Sequence, residues 1–393
     1  MRHWDIFCAV VDNFGDIGVC WRLARQLANE HAARVRLWVD DLATFARLCP
    51  QFEPGGECQQ VGSIEVRHWS REFPEVEVAD VVIEAFACEL PQSYIERMMN
   101  SARSRTGCPA EPVWINLEYL SAEEWIEDCH QVASPQSKWG LQKYFYFPGF
   151  TPRTGGLLRE RTLLADRAAF GYEAQAAFWR RIGVQFENAA ALRVSLFCYE
   201  NPALCELLHH WKRGIQPITL MVTPGTATEQ CGRFINRVLQ PGTSSQCNAL
   251  SIHALPFLEH ADFDRLLWAC DVNFVRGEDS FVRAQWAQRP FVWQPYPQSD
   301  ATHQLKLEAY MERSLGPGAT TSFVAEAIRN FWRAWNGGGE IGRRWDDFHR
   351  QLTAIEHHQV GWARQLDRLG ELTNNLARFV GEIEQRRLID PHC

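Results

Sequence analysis

The chain has 393 residues, more than one hydrophobic core usually serves, so two lobes are expected. Hydrophobic residues make up 46% and charged residues 22%, with 16 Trp and 23 Phe, which excludes a disordered chain and promises a large aromatic core. A formal charge of -8 argues against a general nucleic-acid binder, whose phosphate contacts need a basic face, and leaves a basic partner as the better match.

In chain order, "WDIFCAVV" from Trp4, "RVRLWV" from Arg34, "IEVRHW" from Ile64, "ADVVIEAFA" from Ala79 and "PVWINLEYL" from Pro112 read as strands. Several are apolar on both faces, as strands of a parallel sheet covered by helices should be. Between the first two, Val19, Leu23, Leu27 and Ala28 recur at helical spacing, a βαβ beginning. The series restarts with "LRVSLFCYE" from Leu192, "PITLMVT" from Pro217, "ALSIHALPF" from Ala249, "CDVNFVRG" from Cys270 and "RPFVWQPY" from Arg289, with helical patterns at 262–269 and 280–288. After Thr320 the pattern is helical, interrupted by glycines at 337–339 and ending in one long helix from about Val360 to Arg387. Two doubly wound α/β lobes facing a central cleft account for this order, with the linker between Gly155 and Ala191.

The 13 cysteines are odd in number, with no CxxC pair and no Cys/His cluster at zinc spacing. They read as reduced thiols filling a core in a cytoplasm, with no metal site. Met1 is followed by Arg2, His3, Trp4 and Asp5 rather than an apolar leader, and no run of about 18 apolar residues occurs, so a soluble chain without membrane contact is expected.

The stretch "VVDNFGDIGVCWRLARQLA" from Val10 leaves the first strand, and in such sheets that turn lies where ligands bind. It is not a GxGxxG motif, and its two carboxylates would repel a pyrophosphate. Asp12 and Asp16, one helical turn apart, suit gripping a cation or removing a proton from a nucleophile. They equally fit plain capping, Asp12 of the turn and Asp16 of the helix.

In "VRGEDSFVRAQWAQRPFVWQPYPQ" from Val275, Gly277 turns the chain and Glu278, Asp279 and Ser280 open a helix. The expectation is a phosphate held by helix amides and the Ser280 hydroxyl, with Glu278 turned to sugar hydroxyls; an N-cap cluster without a ligand is the alternative. Arg276 and Arg283 fit phosphate neutralisation and structural pairing equally. In "EYLSAEEW", Ser121 and Glu124 read as a capping box rather than a partner site.

Those two stretches, together with "IEAFACELP", "WINLEYLSAEEW", "QKYFYFPGF" and "GGLLRER" in this order, make the chain resemble the elongation factor P arginine rhamnosyltransferase family, least so at 166–190 and near the C-terminus. The resemblance implies a GT-B glycosyltransferase fold. Its acceptor lobe would span 1–180, joined by the C-terminal helix 360–393, and its dTDP-rhamnose lobe 181–359. It implies inverting transfer of L-rhamnose from dTDP-β-L-rhamnose to one arginine of elongation factor P, which activates that factor for rescue of polyproline-stalled ribosomes. No cofactor or metal and no direct nucleic-acid partner are implied.

Residue by residue, the family's paired aspartates fall on Asp12 and Asp16 and its essential glutamate on Glu278. Asp279 and Ser280 match the diphosphate positions, and Phe197, Phe257 and Phe263 the thymine cradle. Asn13, Phe14, Gly15, Tyr199, Arg276 and Gly277 complete the expected substrate contacts. His260 stands where glutamine is expected, which leaves its nucleotide contact open, and Phe257 and Phe263 also read as ordinary core aromatics. Two other functions stay in view: a nucleotide-sugar transferase with a small-molecule or polysaccharide acceptor, and a non-catalytic binding protein.

Overall fold

The computed structural model describes residues 1–12, 14–104, 111–186, 188–298, 302–316, 318 and 320–389. The chain divides into two compact units, Met1–Arg161 with Leu366–Cys393, and Thr162–Gln365. The first division falls earlier than the expected residue 180, because Phe178, Trp179 and Ile182 bury against Met221, Leu266 and Cys270 of the second unit. The long C-terminal helix expected from Val360 is two helices, Leu352–Asp367 and Leu372–Ile389, separated at Gly370, whose φ of 78° ends the first. The buried Glu371 starts the second by accepting the Thr373 and Asn374 N–H groups, and the Gln26 side chain donates to the same carboxylate at 2.8 Å. That bond ties the last helix to the first unit.

Among the described residues the first unit carries eight strands: β1 His3–Cys8, β2 Arg34–Val39, β3 Cys58–Val61, β4 Ile64–His68, β5 Val81–Ala85, β6 Val113–Leu117, β7 Ala133–Gln136 and β8 Leu141–Tyr146. Their order is β3-β4-β2-β1-β5-β6-β8-β7, parallel throughout except for β3 and β7, which close the two edges antiparallel. The two edge strands, "CQQV" and "ASPQ", were not expected: they are short and polar and carry no apolar signal. β5 and β6 are buried along their full length, as strands covered on both faces must be.

A buried ion pair lies in this core. Asp5 of β1 is fully buried and takes two hydrogen bonds from the Arg36 guanidinium of β2, at 2.8 and 2.6 Å, and a third from the Tyr94 hydroxyl. Burial works against the Arg36 charge, but the hydrogen bonds and charge of Asp5 more than offset it and hold the guanidinium above its ordinary pKa.

The second unit holds β9 Leu192–Leu196, β10 Ile218–Val222, β11 Ser244–Cys247, β12 Leu250–Ala254, β13 Val272–Arg276 and β14 Phe291–Gln294, in the order β11-β12-β10-β9-β13-β14. Among the described strands of this unit only β11 is antiparallel. Trp211, Phe274, Trp335 and Trp345 pack edge-on behind β13, where the aromatic count predicted a dense core. No helix of the described residues is long and apolar enough to cross a membrane.

Two outcomes follow. Asp5→Asn leaves Arg36 buried without a counter-charge and should destabilise the first unit by about 3–5 kcal/mol in urea unfolding; an unchanged midpoint would show that the pair carries no stability. His130 is an acid-sensitive group: its Nδ1 accepts the Phe147 N–H, and burial lowers its pKa to about 4. The folded state therefore keeps it neutral while the unfolded chain protonates below about 6.5, so stability falls as pH drops from about 6.5 toward 4. His130→Asn, which keeps an acceptor but does not titrate, should flatten that part of a melting-temperature profile.

Candidate active site

In the first lobe the site is the turn between β1 and the helix Phe14–Glu30. Asp16 lies in the first turn of that helix, is 3% exposed, and points its carboxylate back along the chain. Its Oδ2 accepts the main-chain N–H of Val11 at 2.9 Å and of Asp12 at 2.8 Å. Asp16 therefore caps the turn that precedes it, not the N-terminus of its own helix. The helix dipole favours a carboxylate there as well.

The turn is tightened by Gly15, whose N–H meets the Asp12 carbonyl at 2.6 Å. A Cβ on Gly15 would stand 2.6 Å from Asp12 Oδ2 and 3.1 Å from its Cγ, so any side chain there would push the Asp12 carboxylate aside. Asp12 is half-buried, and so is Phe14, whose ring lies under the Arg47 guanidinium at 5.5 Å. Two acids are thereby held one helical turn apart at the carboxyl end of a buried strand. Asn13 lies outside the described residues.

In the second lobe the expected residues gather at the carboxyl ends of β9, β12 and β13. β13 ends at Arg276, Gly277 turns at φ 58°, and Glu278 precedes the helix Asp279–Ala287 without a side-chain capping bond. The Ser280 hydroxyl departs from expectation. It accepts the Arg276 N–H at 3.0 Å and donates to the Arg276 carbonyl at 2.5 Å, so it locks the turn and does not face a phosphate. The N–H groups of the helix's first turn carry the positive end of its dipole.

The Arg276 guanidinium rests 4.3 Å from the Phe197 ring and 4.4 Å from the Tyr199 ring, and donates to the Cys198 carbonyl. Its charge is held by ring faces and a carbonyl, none of which cancels it. Phe263 meets Phe197 edge-on at 5.7 Å and also packs on the Phe178–Met221 cluster, so it is half core and half edge. Phe257 is 37% exposed, and His260 is buried at the start of the helix His260–Ala269.

Arg283 does not join this edge: it forms a buried two-bond pair with Asp264 at 2.9 and 2.8 Å. The Ser121 capping box is likewise absent. Ser121 pairs with the Glu123 N–H and carboxylate, and the short helix Ile126–Cys129 begins later, after Trp125, without a side-chain cap. Tyr296, edge-on to Tyr199, and Gln294, whose Oε1 accepts the Tyr199 N–H, belong to the same edge, and "VWQPYPQ" was the signal for them. Burial pushes the Cys88 and Cys198 thiols well up, so neither offers a nucleophile at neutral pH. Among the described residues no three His, Cys, Asp or Glu side chains are placed to hold a metal ion.

Two Rossmann-like lobes in succession form the GT-B glycosyltransferase fold. The calicheamicin glycosyltransferase CalG4 shares it at a TM-score of 0.51 and 14% identity, over 98% of this chain and 99% of that one. The chain matches the family described as Elongation-Factor P (EF-P) rhamnosyltransferase EarP over residues 4–381. It is 46% identical over 385 residues to the protein-arginine rhamnosyltransferase of Pseudomonas aeruginosa, covering 97% of this chain and 100% of that protein. The solved structure reported as "Structural basis for EarP-mediated arginine glycosylation of translation elongation factor EF-P" matches with a TM-score of 0.68 and 33% identity, over 97% and 99% of the two chains. The chain belongs to the EarP family.

Gly15→Ala tests the geometry of the turn. The added methyl must displace the Asp12 carboxylate, so turnover should fall about 10- to 100-fold while the melting temperature stays within a few degrees. Full activity would mean that the position of Asp12 does not matter.

Proposed function

We propose that this chain transfers L-rhamnose from dTDP-β-L-rhamnose to one arginine side chain of elongation factor P. Membership of the family supports the reaction, and the observation that carries it to residues is the Asp12/Asp16 turn, fixed by Asp16 through the main chain of Val11 and Asp12. An arginine stays protonated at physiological pH, with a pKa above about 12, so its nitrogen is a poor nucleophile. Asp12 and Asp16 hold the guanidinium and draw its charge away from the attacking nitrogen. As that nitrogen bonds to the anomeric carbon, the bond from carbon to the diphosphate oxygen breaks. The electron pair leaves with dTDP, and Asp16 takes the proton.

In the second lobe the amides opening the helix at Asp279, with the Arg276 cation beside them, stabilise the charge developing on the leaving diphosphate, and no metal is invoked. Phe197, Phe257 and Phe263 supply aromatic surface for thymine, and Glu278 faces sugar hydroxyls. Attack opposite the leaving group turns the β-linked donor into an α-linked product. A different acceptor is not favoured, because the likeness to arginine-modifying relatives runs through nearly the whole chain.

The test is intact-mass spectrometry of elongation factor P after incubation with the enzyme and dTDP-β-L-rhamnose; one added rhamnose is expected. Asp16→Asn keeps an oxygen for the Val11 and Asp12 amides but cannot take a proton, and should lose about 100- to 10,000-fold in rate. Glu278→Gln should lose about 10- to 100-fold, the worth of a charged hydrogen bond of about 1.5–3 kcal/mol. Full transfer by both variants would remove these residues from the mechanism.

A further inference from the structure

The first lobe carries an aromatic platform that the reaction above does not use. After β5 the chain runs through Phe86, Ala87 and Glu89 at φ values of 57°, 53° and 54°, a left-handed conformation that side chains other than glycine rarely adopt. The conformation is imposed from below. The Phe86 N–H is held by the Leu117 carbonyl at 2.7 Å, the Ala87 N–H by Asn116 Oδ1 at 3.1 Å, and the Glu89 N–H by the buried Glu84 at 3.3 Å. Its result is that the Phe86 ring stacks on Tyr119, in the segment after β6, with centroids 4.4 Å apart and planes 17° apart. Tyr119 is 36% exposed, so the stack faces solvent.

β1, β5 and β6 are consecutive parallel neighbours, and the Cys88 thiol donates to the Phe7 carbonyl at 3.4 Å, so the platform continues the sheet edge that carries Asp12 and Asp16. Two strand spacings separate β1 from β6, roughly 10 Å. Glu118, tied to the Asn116 amide at 2.5 Å, and the exposed Glu89 make this edge acidic, which suits a chain bearing a guanidinium.

We propose that the Phe86–Tyr119 stack is the docking platform for the polypeptide flanking the target arginine of the protein acceptor, and so a determinant of which arginine is modified. Peptide planes and side-chain stems of that segment lie on the exposed ring while its guanidinium reaches the Asp12/Asp16 turn. The inference rests on the rhamnosyl-transfer reading above.

Initial rates of the full-length enzyme should be measured against varied elongation factor P and, separately, varied dTDP-β-L-rhamnose, for wild type, Tyr119→Ala and Tyr119→Phe. The expected result is a rise of about tenfold or more in the KM for elongation factor P with Tyr119→Ala. The KM for the donor and the melting temperature should hold, and Tyr119→Phe should restore the acceptor KM. An acceptor KM within twofold of wild type in Tyr119→Ala overturns the platform alone. So does a change confined to the donor KM, or one explained by altered self-association in sedimentation. If the wild type fails to modify elongation factor P at all, the rhamnosyl-transfer reading falls and takes the platform with it.

Discussion

The candidate chemistry depends on how a chain leaving a buried parallel strand can hold two acids in a turn without the turn losing its shape. In the first lobe one interaction settles this: the Asp16 carboxylate, reaching back four residues, takes the Asp12 N–H and its neighbour's. The second lobe solves the same problem at the same spacing, with the Ser280 hydroxyl reaching back four residues to Arg276. The anchors differ in charge, and the difference is intelligible. Under the proposed reaction, a carboxylate anchor adds to the attraction for a guanidinium, whereas beside a diphosphate a second carboxylate would repel and a neutral hydroxyl does not.

Charge is partitioned in a similar way through the rest of the molecule. Arg36 and Arg283 are buried and each is matched by an aspartate with two hydrogen bonds, so neither is an uncompensated buried charge and both present little field outside their lobes. Arg276 is treated differently. It is fixed by two ring faces and a carbonyl oxygen, which orient the guanidinium without neutralising it. A cation held that way at a helix N-terminus is prepared for an anion in a manner a salt-bridged arginine is not.

The sequence displayed the parallel strands clearly, because β1, β5, β6, β10 and β13 are apolar on both faces and each is followed by a turn. It concealed β3, β7 and β11, whose few polar residues are strands only because a neighbour's edge offers them partners. The pair Asp12/Asp16 stood out in the sequence, since two acids around a glycine turn after a strand are unusual. The direction of the Asp16 carboxylate, back to the Val11 and Asp12 amides, did not, because which way a carboxylate points depends on the main chain around it. The same limit explains Ser280, Arg283 and Ser121, for which residue type and spacing fitted a ligand or cap while a nearer partner claimed the side chain. The strained run at Phe86–Glu89 has no sequence signal at all, for nothing in "EAFACELP" announces left-handed backbone without glycine.

Two aspartates that grip a guanidinium treat every arginine alike, including the free amino acid. Discrimination is a difference between affinities, so it has to come from contacts that only the correct neighbourhood can make. Those contacts must lie within reach of a side chain extended into the turn, and the loops that follow the strands beside β1 satisfy that limit within the first lobe. A flexible loop would pay the cost of ordering on each encounter, whereas one already held in an unfavourable conformation by Asn116 and Glu84 has met that cost during folding. Selectivity for one arginine on a folded acceptor is therefore best served by a rigid edge next to the acids proposed to react, and rigidity is what the hydrogen bonds beneath Phe86 and Glu89 supply.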